Sequence, residues 1–96
     1  MTIEITKWDA ADHLDSDEKV ALYLEAAFED GDPAVIAAAI GDVARARGMA
    51  QVAKDAGLSR ESLYKALSEA GNPAFATIMK VTKALGFTMT IAAHRS

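Results

Sequence analysis

The stretch Met49 to Ser68, MAQVAKDAGLSRESLYKALS, restricts what this chain can fold into more than any other part of it. It reads as two short helices joined by a tight turn. Val52, Ala53 and Ala56 share one face of the first helix; Leu63, Ala66 and Leu67 share one face of the second. Gly57 stands where the first helix must stop, because glycine accepts the left-handed backbone that other residues resist. Leu58 follows as an apolar anchor. Ser59 is placed to cap the second helix by accepting a hydrogen bond from an unpaired backbone donor. Counted from Gly57, a small residue falls four back at Ala53, and apolar residues fall six and nine on at Leu63 and Ala66. That is the spacing of a DNA-binding helix-turn-helix, in which Ala53 lets the helices cross closely. Arg60, Glu61, Tyr64 and Lys65 are left pointing outward, as entry into a major groove requires.

Each outward residue has a chemistry suited to DNA. Arg60 can grip guanine bidentately, worth roughly 1–3 kcal/mol of discrimination, and Lys65 is the second candidate base or phosphate contact. Glu61 either accepts from a cytosine amino group or orients Arg60. Tyr64 can donate to a phosphate and lay its ring on a thymine methyl; the alternative is a partly buried ring. Ser59 and Ser62 suit phosphate oxygens, as does Gln51 on the preceding helix, which could instead reach back to cap the Gly48 end. Asn72 is placed to touch the DNA backbone or to cap the next helix.

The rest of the chain supplies a frame for this motif. Thr2 to Lys7 alternates apolar and polar residues, a short strand with Ile3 and Ile5 on one face, closed by Trp8. Ser16 or Asp15 can cap a helix reaching about Asp30, with Val20, Tyr23, Leu24, Ala27 and Phe28 on one stripe. Leu22 lies off that stripe, either simply exposed or part of a contact surface. Asp32-Pro33 restarts the chain as cap and first helical residue. The helix to Arg47 is expected to bury Val35, Ile36, Ala39, Ile40 and Val43. Gly71-Asn72-Pro73 repeats the punctuation, and a helix to about Leu85 is expected to bury Phe75, Ile78, Met79, Thr82 and Leu85. Phe87 to Ala92 alternates again. A lone strand must pair, either with the N-terminal strand or with its copy in a second molecule. We favour an antiparallel ribbon across a two-fold axis, with Phe87, Met89 and Ile91 as dimer contacts. Such an axis would set two recognition helices about 34–36 Å apart, one turn of DNA. The predicted fold is therefore mainly α, a bundle of about five helices with short terminal strands.

Charge divides the chain. Residues 1–32 carry ten acids against two bases, whereas residues 33–96 carry four acids against eight bases. The basic part can attract phosphates; the acidic part repels them and suits a basic protein partner. Three segments result: an acidic, partner-facing 1–31, a DNA-binding bundle 32–86 and a dimerising 87–96. Alanine fills 21 of the 96 positions, which favours helix but makes a thin core that self-association would help complete. Without cysteine there is no disulfide or thiolate metal site, and no apolar run approaches membrane-spanning length. The expectation is a cytoplasmic protein that needs no cofactor. No catalytic constellation is visible: His13 and His94 are the only histidines, and Asp12, His13 and Asp15 have the composition of a polar connector rather than a metal site.

Nearly the whole chain resembles the HigA-type addiction-module antidotes, small antitoxins of the lambda-repressor-like (XRE/Cro) helix-turn-helix superfamily. The resemblance is carried by WDAADHLDSDEKVALYLEAA and by the segment from Phe28 to Phe87, most specifically GMAQVAKDAGLSRESLYKALSEAGNP. It implies a dimer that binds an operator in its own promoter. It also implies neutralisation of a basic toxin of RelE/ParE-like fold, a partner assigned to the acidic N-terminal third by region only. The recognition helix is then Ser59 to Ser68. Met49 stands where many members of the superfamily place a phosphate-binding glutamine, so Gln51 or backbone amides would have to serve. The competing expectations are a stand-alone prophage-type repressor and an interaction module that has lost DNA binding; a small basic protein encoded alongside would favour the antitoxin.

Overall fold

The computed structural model describes residues 16–68 and 72–93, and among them the chain forms five helices and no strand. Helix α1 spans Asp17–Asp30, α2 Pro33–Arg47, α3 Met49–Ala56, α4 Arg60–Ala66 and α5 Phe75–Ala84. Local chemistry sets the boundaries. Ser16 caps α1 by accepting from the Lys19 amide at 3.2 Å. Asp32 accepts from the Ala34 amide at 2.9 Å, one residue beyond Pro33.

Helix α2 packs against α1 on one side and α3 on another, and α3 in turn carries α4 and α5. The middle of α2 is buried all round: Ala39, Ile40, Gly41, Asp42, Val43 and Ala44 are all covered. Small residues make this possible, because alanine and glycine let neighbouring helices approach on several sides at once. Val35, expected in the core, lies near the open start of α2 and is 40% exposed. Helix α1 contributes Val20, Leu24 and Ala27 to the same core, so the acidic helix is packed into the bundle and does not stand apart from it.

The buried charge in this core is Asp42, only 3% exposed. A buried carboxylate is costly unless its oxygens are hydrogen-bonded. Tyr23 of α1 donates to Oδ2 at 2.7 Å, and Arg45, one turn further along α2, donates to Oδ1 at 2.7 Å. Burial, then the hydrogen bond and the negative charge of Asp42, push the Tyr23 hydroxyl well above the usual tyrosine range. A second tie gathers three helix ends. Arg47 donates to Asp17 at 2.8 Å and to the Leu85 carbonyl at 3.3 Å, and its guanidinium lies 5.9 Å from the Phe87 ring centroid.

Helix α5 buries Ile78, Thr82 and Leu85 as expected but adds Val81 in place of Phe75 and Met79. Ile78, Val81, Thr82 and Leu85 are buried, at the spacing of a helix stripe, whereas Phe75 is 67% and Met79 47% exposed. Asn72 does not cap this helix: Ala74 occupies that position and offers no side-chain acceptor. The strand expected over 87–92 is also absent. After the Phe87 amide donates to the Thr82 carbonyl at 3.1 Å, residues 88–93 form no backbone hydrogen bond within the described chain. A strand exists only through its ladder, and no described neighbour supplies one. Phe87 and Met89 instead lie half-buried against the core, while Ile91 is fully exposed. The expected N-terminal strand, Trp8, the Asp12–His13–Asp15 group and His94 lie outside the described residues.

Candidate nucleic-acid interface

The turn between α3 and α4 is built as its residues suggest. Gly57 takes φ 72° and ψ 30°, and the Leu58 amide reaches back to the Ala53 carbonyl at 2.9 Å. This six-residue closure, with the Gly57 amide also reaching back into α3, caps the C-terminal end of that helix. Leu58 then packs on the core. Ser59 accepts from the Ser62 amide at 3.0 Å and starts α4. Leu63, fully buried, and Leu67 fix the inner side of α4 against α3. The rotational setting of α4 is thereby decided, and with it the residues that face outward.

Those residues are Arg60, Glu61, Tyr64 and Lys65, all exposed. The Arg60 guanidinium lies 5.6 Å from the Tyr64 ring centroid, close enough for a cation–π attraction that stiffens both side chains. Tyr64 is 43% exposed, so part of the side chain is accessible and part is covered. Among the described residues neither Arg60 nor Lys65 forms an ion pair, and Glu61 makes no contact that orients Arg60. The positive charge of this face is therefore available to an external anion.

Ser59 donates its hydroxyl proton to Ser62 Oγ at 2.8 Å, which leaves the Ser62 proton free to serve another acceptor. Ser62, Lys65, Asn72 and Thr77 line an open groove of about 520 Å³ between α4 and the start of α5. A hydroxyl, an ammonium and a carboxamide thus belong to one groove, beside the start of α5, which has no side-chain cap. Gln51 stands apart on α3. It does not cap the Gly48 end; its Nε2 donates to Asp55 one turn further on, at 2.8 Å. A second Nε2 proton remains for a phosphate. Asp55 is the participant that the sequence reading missed, although its spacing of four from Gln51 places the two on one helix face.

Over residues 4–93 the sequence matches the family described as "probable addiction module antidote protein". The chain belongs to the addiction-module antidote family. A relative from Haemophilus influenzae, described only as an uncharacterized protein, is 50% identical over 95 residues, covering 99% of this chain and 98% of that one. No solved structure matches. In this antidote-family chain no described helix is long and apolar enough to cross a membrane. Family membership implies a toxin partner in general, and the exposed side of α4 is the surface whose chemistry suits a nucleic acid.

Proposed function

We propose that this antidote is the antitoxin of a type II module, of HigA type and lambda-repressor-like fold, and that it represses its own promoter as a dimer. Helix α4 enters the major groove, with Arg60, Glu61, Tyr64 and Lys65 toward the bases. Gln51, Ser59, Ser62 and Asn72 hold the phosphates on either side. Phe87, Met89 and Ile91 belong to the dimer contact. The acidic N-terminal third, including Glu18 and Glu29 of α1, receives a basic RelE/ParE-like toxin. The protein has no catalytic role and acts in the cytoplasm.

The observation that carries the reading is the two-sidedness of α4. Its inner side is immobilised by Leu63 and Leu67, while its outer side presents two cations and an aromatic ring with no acidic partner among the described residues. An electrophoretic shift with the DNA upstream of its own reading frame tests the DNA half, and co-expression with the neighbouring frame tests the toxin half. Because α1 supplies core residues, the toxin test uses Glu18→Lys with Glu29→Lys rather than removal of the helix. These reversals should abolish rescue from the toxin and leave the operator shift intact. Full rescue by the doubly reversed chain would remove the charge argument.

A further inference from the structure

Residues 87–90 run between two grooves. On one side, about 230 Å³ of open space is bounded by α1 through Leu24, Glu25 and Phe28. On the other, about 350 Å³ is bounded by α5 through Met79, Lys80 and Lys83. Thr82, Phe87, Thr88 and Met89 line both grooves. The surface is thus a strip in three parts: an acid at one edge, apolar side chains in the middle and two lysines at the other edge. Among the described residues Glu25, Lys80 and Lys83 form no ion pair. Beneath the middle, the Thr82 hydroxyl is buried without a hydrogen-bond partner. Ile91, next along the chain from Thr90, is fully exposed.

A two-fold interface brings the same patch of both copies together, so the patch must complement itself. An acid–apolar–base strip does this. Turned over about an axis along its length, each copy lays its apolar middle on the other's and sets Glu25 against the other's lysine edge. Aromatic and methionine side chains at the centre with lysine confined to the rim is also the usual composition of a protein interface. We propose that the occupant of these grooves is a second copy of this chain, and that pairing of Glu25 with Lys80 and Lys83 across the two-fold axis fixes the register of the dimer. This rests on the dimeric reading above and assigns it a surface: the contact widens from the C-terminal segment to the facing sides of α1 and α5.

The test is a charge swap on the full-length protein, read by sedimentation velocity over a concentration series without DNA. Each substitution acts twice across the axis and converts attraction into repulsion. Glu25→Lys alone and Lys83→Glu alone should each raise the dimer dissociation constant roughly tenfold, and combining them should restore most of the loss. Both sites are exposed, and unchanged circular dichroism would confirm that the fold survives. Ile91→Glu should weaken the dimer without rescue by either reversal. A parent that stays monomeric would overturn the proposal, as would reversals that leave dimerisation unchanged or a swap that recovers nothing. Reversals that spare the dimer but lose toxin co-purification would assign the grooves to the toxin and overturn it equally. Failure of the DNA reading remains distinguishable, because Arg60→Ala with Lys65→Ala should dimerise like the parent.

Discussion

Replacing Tyr23 with phenylalanine removes one oxygen and keeps the ring, which isolates the contact between α1 and α2. The lost bond, 2.7 Å from hydroxyl to Asp42 Oδ2, has a charged acceptor that is 97% shielded from water on the residue scale, since only 3% is exposed. Hydrogen bonds to charged groups contribute about 1.5–3 kcal/mol. Arg45 still satisfies the other oxygen, so the lower part of that range, about 2 kcal/mol, is the expected cost. At roughly 4–8 °C per kcal/mol for a domain of this size, melting should fall by on the order of 10 °C. Urea denaturation by far-ultraviolet circular dichroism would show a lower midpoint with an unchanged slope. A double-mutant cycle with Asp42→Asn should return a coupling above about 1 kcal/mol. A loss below about 0.5 kcal/mol for Tyr23→Phe, with no coupling, would refute the reasoning.

The same hydroxyl predicts an alkaline limit. The folded state raises the Tyr23 pKa, so its stabilisation is complete below the unfolded value near about 10 and is lost as pH rises beyond it. Stability measured from pH 8 upward should therefore decline less steeply in Tyr23→Phe than in the parent. Gly57→Ala should cost about 1 kcal/mol from backbone strain alone, because φ is 72° and no neighbour crowds the new methyl group. Chemical denaturation checks this. Leu63→Ala, at a fully buried site, should cost about 2–5 kcal/mol by the same measurement.

The pair of helices α3 and α4 and the turn between them were legible because their determinants are local. Gly57, Leu58 and Ser59 act on backbone groups a few residues away, and each does in the structure what its chemistry suggests. The outward set on α4 followed once Leu63 and Leu67 were assigned inward. Helix α5 was harder, since Phe75, Ile78, Met79, Val81, Thr82 and Leu85 offer two overlapping stripes. Periodicity cannot choose between them; the position of α3 does, burying Val81 and leaving Phe75 and Met79 outside. The Tyr23 partner of Asp42 was illegible for a similar reason, because it is nineteen residues away and meets Asp42 only after α1 folds onto α2. The C-terminal segment shows the opposite problem. Its alternation announces a strand, but a ladder depends on a second strand that the pattern cannot locate.

The central claim is that the outer side of α4 reads DNA. Its most direct test is fluorescence anisotropy of the upstream duplex titrated with the parent and with Arg60→Ala/Lys65→Ala across a range of salt concentrations. The account predicts that the parent binds more weakly as salt rises, and that the double variant, folded by circular dichroism, loses the specific complex and shows a shallower salt dependence. Equal affinity and equal salt dependence in the two proteins would contradict it.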